Sequence, residues 1–119
     1  MKPIGPDHPI TTQKHPRAVR VTFNGVVIAQ SADVTALKEA SYPIVFYFPR
    51  ADIAMDHLLR TPHSTHCPYK GDASYYTLSA AGRDEVNAVW SYETPFDQMS
   101  AIAGRLAFYA NRVSFEEDG

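Results

Sequence analysis

The residues best suited to chemistry cluster between Tyr47 and Tyr76. Cys67 is the only cysteine among 119 residues; it is preceded by His66 and followed three positions later by Lys70. Positive charge beside a thiol raises its thiolate fraction, so Cys67 is a candidate nucleophile or redox thiol. His57, His63 and His66 are the candidate bases. Successive residues of an extended chain point to opposite sides, which favours His57 or His63 over the adjacent His66. The competing reading is a buried, small apolar side chain, the commoner role of a lone cysteine.

Two further constellations suit ligand binding. Arg50 and Asp52 follow an apolar strand, with Lys70 close in sequence, and a guanidinium, a carboxylate and an ammonium around one cleft would hold a polar or anionic group. The plainer reading has Asp52 capping a short helix and Arg50 pairing with it on the surface. The second set is aromatic. Trp90 and Tyr92 share one face of a strand ending at Glu93, and Tyr75 and Tyr76 lie on opposite faces of theirs, so that one faces the core and the other does not. Trp90, Tyr92, Tyr69 and one of that pair could line a pocket for a planar ligand, with Glu93, Lys70 or Asp72 as polar contacts. A core role is the alternative for Trp90 alone.

Several classes of function are disfavoured. The net charge of −2 argues against binding nucleic acid by broad phosphate neutralisation. No apolar run approaches the roughly 20 residues needed to cross a bilayer, and Met1–Pro9 contains no apolar leader. One cysteine rules out an internal disulfide, so cytoplasmic residence is expected. The spacing of His57, His63, His66 and Cys67 fits no zinc pattern, and no metal or other cofactor is expected. Lys70-Gly71 lacks the glycines and following helix of a phosphate loop.

The elements that position these residues read mainly as strands. Residues 1–17 hold four of nine prolines and are expected to form an extended surface arm, with 18–119 as a single β-rich domain. Val19, Val21 and Phe23 alternate with polar residues before Asn24-Gly25, the strongest short hairpin signal, and Val26–Ala29 returns. Ala36–Ala40 is expected to form a short helical turn. Ile44–Phe48 reads as a buried strand. Met55, Leu58 and Leu59 fall on one face of a short helix ended by Pro62. Residues 61–72 read as a loop. Strands follow at 73–79 and 87–92 around Gly82, then a turn at Pro95–Met99, a strand at Leu106–Phe108 and another at Val113–Phe115. Six or seven short strands with one or two helical turns make a compact roll.

These strings carry a resemblance. Val21-Thr22-Phe23-Asn24-Gly25-Val26-Val27-Ile28-Ala29, Tyr47-Phe48-Pro49-Arg50-Ala51-Asp52-Ile53, Thr65-His66-Cys67-Pro68-Tyr69-Lys70-Gly71-Asp72-Ala73-Ser74-Tyr75-Tyr76, Trp90-Ser91-Tyr92-Glu93 and Ile102-Ala103-Gly104-Arg105-Leu106-Ala107-Phe108-Tyr109 resemble the domain of unknown function 427 family over nearly the whole chain. The resemblance implies a β-rich fold of the Mss4-like, or β-tent, type and no particular activity. A nucleotidyltransferase label travels with that family, but this chain lacks the Gly-Ser and Asp-x-Asp that would hold metal ions and a triphosphate. It also lacks the paired Cys-x-x-Cys knuckles of zinc-binding β-tent proteins.

The sequence therefore supports a small-molecule-binding domain, with catalysis through Cys67 and a histidine as one version. A non-catalytic module holding a planar ligand or peptide terminus in an aromatic cage is the alternative. A chaperone-like partner protein is weaker, since the pattern shows no long exposed apolar surface. Monomer and homodimer both stay open. All versions require the Cys67–Lys70 stretch and the Trp90 strand to meet across one concavity.

Overall fold

A computed structural model describes residues 1–118 and shows a mainly β protein of three antiparallel sheets. Ten strands form them: β1 (Ile10–Lys14), β2 (Val19–Phe23), β3 (Val26–Ser31), β4 (Thr35–Glu39), β5 (Val45–Tyr47), β6 (Leu58–Cys67), β7 (Gly71–Ala80), β8 (Arg83–Ser91), β9 (Leu106–Phe108) and β10 (Ser114–Glu117). The sheets run β1-β4-β5, β10-β2-β3 and β6-β7-β8-β9. The only helical pieces among the described residues are 3-10 turns at Arg50–Asp52, Met55–His57 and Asp97–Ile102.

The hairpin expected at Asn24-Gly25 forms, with φ of 50° and 79° at its two central residues, as a type I′ turn requires. Val19, Val21 and Phe23 are buried behind it. The β7–β8 connection works alike, with Ala81 and Gly82 both at positive φ.

Four expectations need correction. Ile10–Lys14 pairs with Thr35–Glu39 residue by residue, so part of the Pro-rich stretch is sheet. Ala36–Ala40 is not helical: β4 is hydrogen-bonded on both sides, by β1 and β5, and two ladders outweigh the weak helix preference of five residues. The helix over Met55–Leu59 is a single 3-10 turn that runs straight into β6. Residues 61–67 belong to β6, an edge strand whose side chains are nearly all exposed. No alternation marked it because one face packs on little, and Pro62 is tolerated where the register with β7 shifts between Arg60 and Ser64.

Alternation along the central strands divides the interior in two. Phe48, Tyr76, Leu78, Val89 and Phe108 join the core built on the hairpin. Tyr47, Tyr75, Tyr92, Ala107 and Ile102 join a second, more aromatic core on the other side. Tyr75 and Tyr76 do take opposite faces, but both are buried, because both faces of the sheet are covered. Each neighbouring pair, Tyr47/Phe48 and Tyr75/Tyr76, thus sends one ring into each core, and the aromatic core opens to solvent.

Candidate functional site: an aromatic cavity over a buried ion pair

The opening is a cavity of about 560 Å3 between β5 and the β8–β9 end of the large sheet. Val45, Phe46 and Tyr47 form one wall; Trp90, Tyr92, Phe108 and Tyr109 form the other, with Tyr75 between them. Glu39 and Lys70 close the polar end. Tyr42, Ile44 and Tyr109 stand exposed at the mouth, at 61%, 57% and 42% of their full accessibility. A half-open apolar concavity ending in a few polar groups is the usual form of a ligand pocket, for which roughly 300–1,000 Å3 is typical.

The walls are braced by their own contacts. Trp90 Nε1 donates to the Tyr47 hydroxyl at 3.2 Å, with the rings 6.4 Å apart at 89°. Trp90 also meets Tyr109 at 4.7 Å. Tyr75 exchanges a hydrogen bond with Thr65 at 2.9 Å and carries the His63 ring 4.5 Å away. The Tyr92 hydroxyl makes no protein hydrogen bond among the described residues, and neither does the Tyr47 hydroxyl as a donor.

At the polar end, the Lys70 ammonium bonds Glu39 Oε1, while His8 Nε2 meets Glu39 Oε2 at 2.7 Å. Lys70 is only 7% exposed, so its charge must be matched nearby, and Glu39 does this. Burial alone would raise the Glu39 carboxyl; hydrogen bonds from Lys70 and His8, with their charges, outweigh it and hold the group below its ordinary value. Tyr47 and Tyr92 go the other way. Burial first, then for Tyr47 the Glu39 charge and for Tyr92 its phenolic neighbours, push both phenols well above the usual range and keep them neutral. His8 stacks on Tyr69 at 4.3 Å with the ring planes nearly parallel, which ties the N-terminal segment to the turn carrying Lys70.

The expected site residues separate into groups. Lys70, Tyr75, Trp90 and Tyr92 line the cavity together. Cys67 sits half-buried behind Lys70, its Sγ 3.9 Å from Nζ. His66 turns away to pair with Asp72 at 2.7 Å on the exposed side, and no histidine hydrogen-bonds Cys67 among the described residues. Tyr69 serves the His8 stack. Arg50 and Glu93 belong to a second cluster: Arg50 donates to the Tyr76 hydroxyl at 3.1 Å, Tyr76 donates to Glu93 at 3.0 Å, and both Arg50 and Arg60 flank that carboxylate. The expected Arg50–Asp52 pair does not form, nor does Asp52 cap a helix; it accepts a hydrogen bond from Ser31 at 2.6 Å instead.

Sequence reasoning passed over Glu39 and His8. Glu39 lay in the stretch read as helical, and His8 in the arm read as peripheral. A pairing partner for a buried Lys70 was the one signal that could have found Glu39. Among the described residues no three His, Cys, Asp or Glu side chains converge as metal ligands, and no helix is long and apolar enough to cross a membrane.

The model of a family described as a domain of unknown function, DUF427, matches residues 11–119. The chain belongs to that family. No curated protein matches it. The match takes in the cavity and its ion pair, Glu39 and Lys70, and leaves His8 outside the matched segment of this DUF427 domain.

Proposed function

We propose that the protein is a binding domain for a small planar molecule, held in the cavity between β5 and the Trp90 strand. One observation carries the reading: five aromatic side chains, Tyr47, Tyr75, Trp90, Tyr92 and Tyr109, converge on an open space of about 560 Å3 instead of filling it. A core built only for stability closes such a space, because unfilled volume forfeits dispersion contacts and costs stability. Rings around a gap offer faces and edges on which a flat molecule can stack. The β-tent likeness adds support only as an analogy of fold, and the lone cysteine supports action in the cytoplasm.

Binding is favoured over catalysis through Cys67. The thiol is not among the groups lining the cavity, and its polar neighbour is Lys70, which already serves Glu39. His63 and His66 are engaged by Tyr75 and Asp72.

A thermal-shift screen of planar metabolites tests the reading, because a ligand that binds only the folded state raises the melting temperature by mass action. Val45 and Ala110 line the cavity, so the double variant Val45→Phe/Ala110→Phe blocks it from opposite sides. Compounds that stabilise the native protein and not the blocked variant are the expected result. If no compound distinguishes the two, the cavity is not a binding site.

A further inference from the structure

Resting on the reading of the cavity as a ligand site, we infer that its ligand is uncharged and presents a carbonyl-type acceptor to Tyr47, Tyr92 and Lys70. The argument is a count of donors and charges. Tyr47 is 2% exposed and Tyr92 8%. The Tyr47 oxygen accepts from Trp90, which leaves its O–H to give. The Tyr92 O–H has no protein partner among the described residues. Ser91 Oγ is the one fully buried side-chain polar atom without a partner among the described residues, so the Tyr92 hydroxyl is not sealed in but open to the cavity, where a water or a ligand acceptor can take its hydrogen. The polar end therefore offers two neutral donors, plus any N–H of Lys70 not spent on Glu39.

Charge then decides which acceptor fits. The one cation lining the cavity, Lys70, is already matched by Glu39. A ligand carboxylate entering here would give up its hydration to stand beside the Glu39 carboxylate, with no unmatched cation lining the cavity to compensate. Burial and the Glu39 charge already raise Tyr47, and burial raises Tyr92, so the site resists added negative charge. A carbonyl oxygen meets the same O–H donors without that cost. The flat remainder of the molecule lies against Trp90 and Tyr109.

Calorimetric titration with a matched pair, 2-naphthamide and 2-naphthoate at pH 7.5, tests this. The two share a ring system and differ in the charge of the head. The amide is expected to bind at least about tenfold more tightly, as expected for a charge desolvated without a partner. Tyr92→Phe removes a hydroxyl that holds nothing in the free protein, so folding is retained, and it should weaken amide binding roughly 3- to 10-fold, the worth of one hydrogen bond. Tyr47→Phe should do the same. Naphthoate binding as tightly as the amide, or amide binding indifferent to Tyr92→Phe, overturns this inference and leaves the cavity reading standing. If neither compound binds and neither raises the melting temperature, the cavity reading fails and the inference fails with it.

Discussion

Trp90 and Tyr47 meet edge to face across the wall of the cavity, the indole N–H donating to the phenolic oxygen at 3.2 Å. The contact joins β8 to β5, strands of different sheets, through residues 43 positions apart in sequence, and so holds the cavity's two walls at a fixed distance. Tyr47→Phe leaves the indole N–H without its acceptor and should cost about 1 kcal/mol in urea unfolding. No loss of stability would mean that the walls are positioned by other contacts.

The Glu39–Lys70 pair is the costliest place to make a single change. Removing the carboxylate in Glu39→Leu strands a buried ammonium and should destabilise by about 3 kcal/mol or more. Adding Lys70→Met should recover much of the loss, since an apolar pair avoids desolvating either charge. A double variant no more stable than Glu39→Leu would show that the pair does not act as a unit.

The same pair sets an acid dependence. The Glu39 carboxyl is held below its ordinary value of 4.5 in the folded protein, so the unfolded chain binds a proton that the folded one does not. Its contribution is present above that ordinary value and fades as pH falls from there through the folded value. Urea midpoints measured between pH 3 and 7 should decline below about 4.5, more gently once Lys70 is replaced by Met. An unchanged slope in Lys70→Met would assign the acid loss to other carboxylates.

Gly71 allows the turn that delivers Lys70. Its φ is +113°, and a side chain there would meet Phe96 N and Pro95 Cα at 3.6 Å. The space is ordinary, so the backbone conformation decides, and Gly71→Ala should cost roughly 1–3 kcal/mol. Gly5→Ala, where φ is unremarkable and nothing lies within 4 Å, should be close to neutral when both variants are compared by urea unfolding.

Cys67 packs against the aromatic core with no histidine hydrogen-bonded to it. Iodoacetamide should modify it much more slowly in the native protein than in urea. Equal rates would reopen the nucleophile reading.

Much of the fold was legible wherever a local signal and the tertiary outcome agree. Asn24-Gly25 encodes its own turn, and the alternation of Val19, Val21 and Phe23 encodes a half-buried strand. The failures share a cause. β4 and β6 are specified by partners distant in sequence or by backbone alone: Ala36 and Leu37 by β1 and β5, and the polar run Ser64–His66 by backbone pairing with β7. Side-chain pattern alone does not carry that information. In the site, strand parity put Trp90 and Tyr92 on one face, but the expected set included Tyr69, which stacks on His8 outside the cavity lining, and missed Tyr47 and Tyr109, which line it. Glu39 and His8 were not legible, because charge pairing across 31 residues leaves no trace in spacing. Glu93 was misplaced for a simple reason: it follows the Trp90 strand, and the chain past Tyr92 carries it to Arg50 and Tyr76 instead.

Trp90 is the only tryptophan in the chain and stands in the cavity wall, so its emission reports directly on what enters. Titration with nicotinamide, a planar uncharged amide, should quench that emission along a saturable curve in the native protein. The Val45→Phe/Ala110→Phe variant should show only the linear, collisional component. Identical linear quenching in both would mean that nothing is held against Trp90, and the cavity would be a packing defect, not a site.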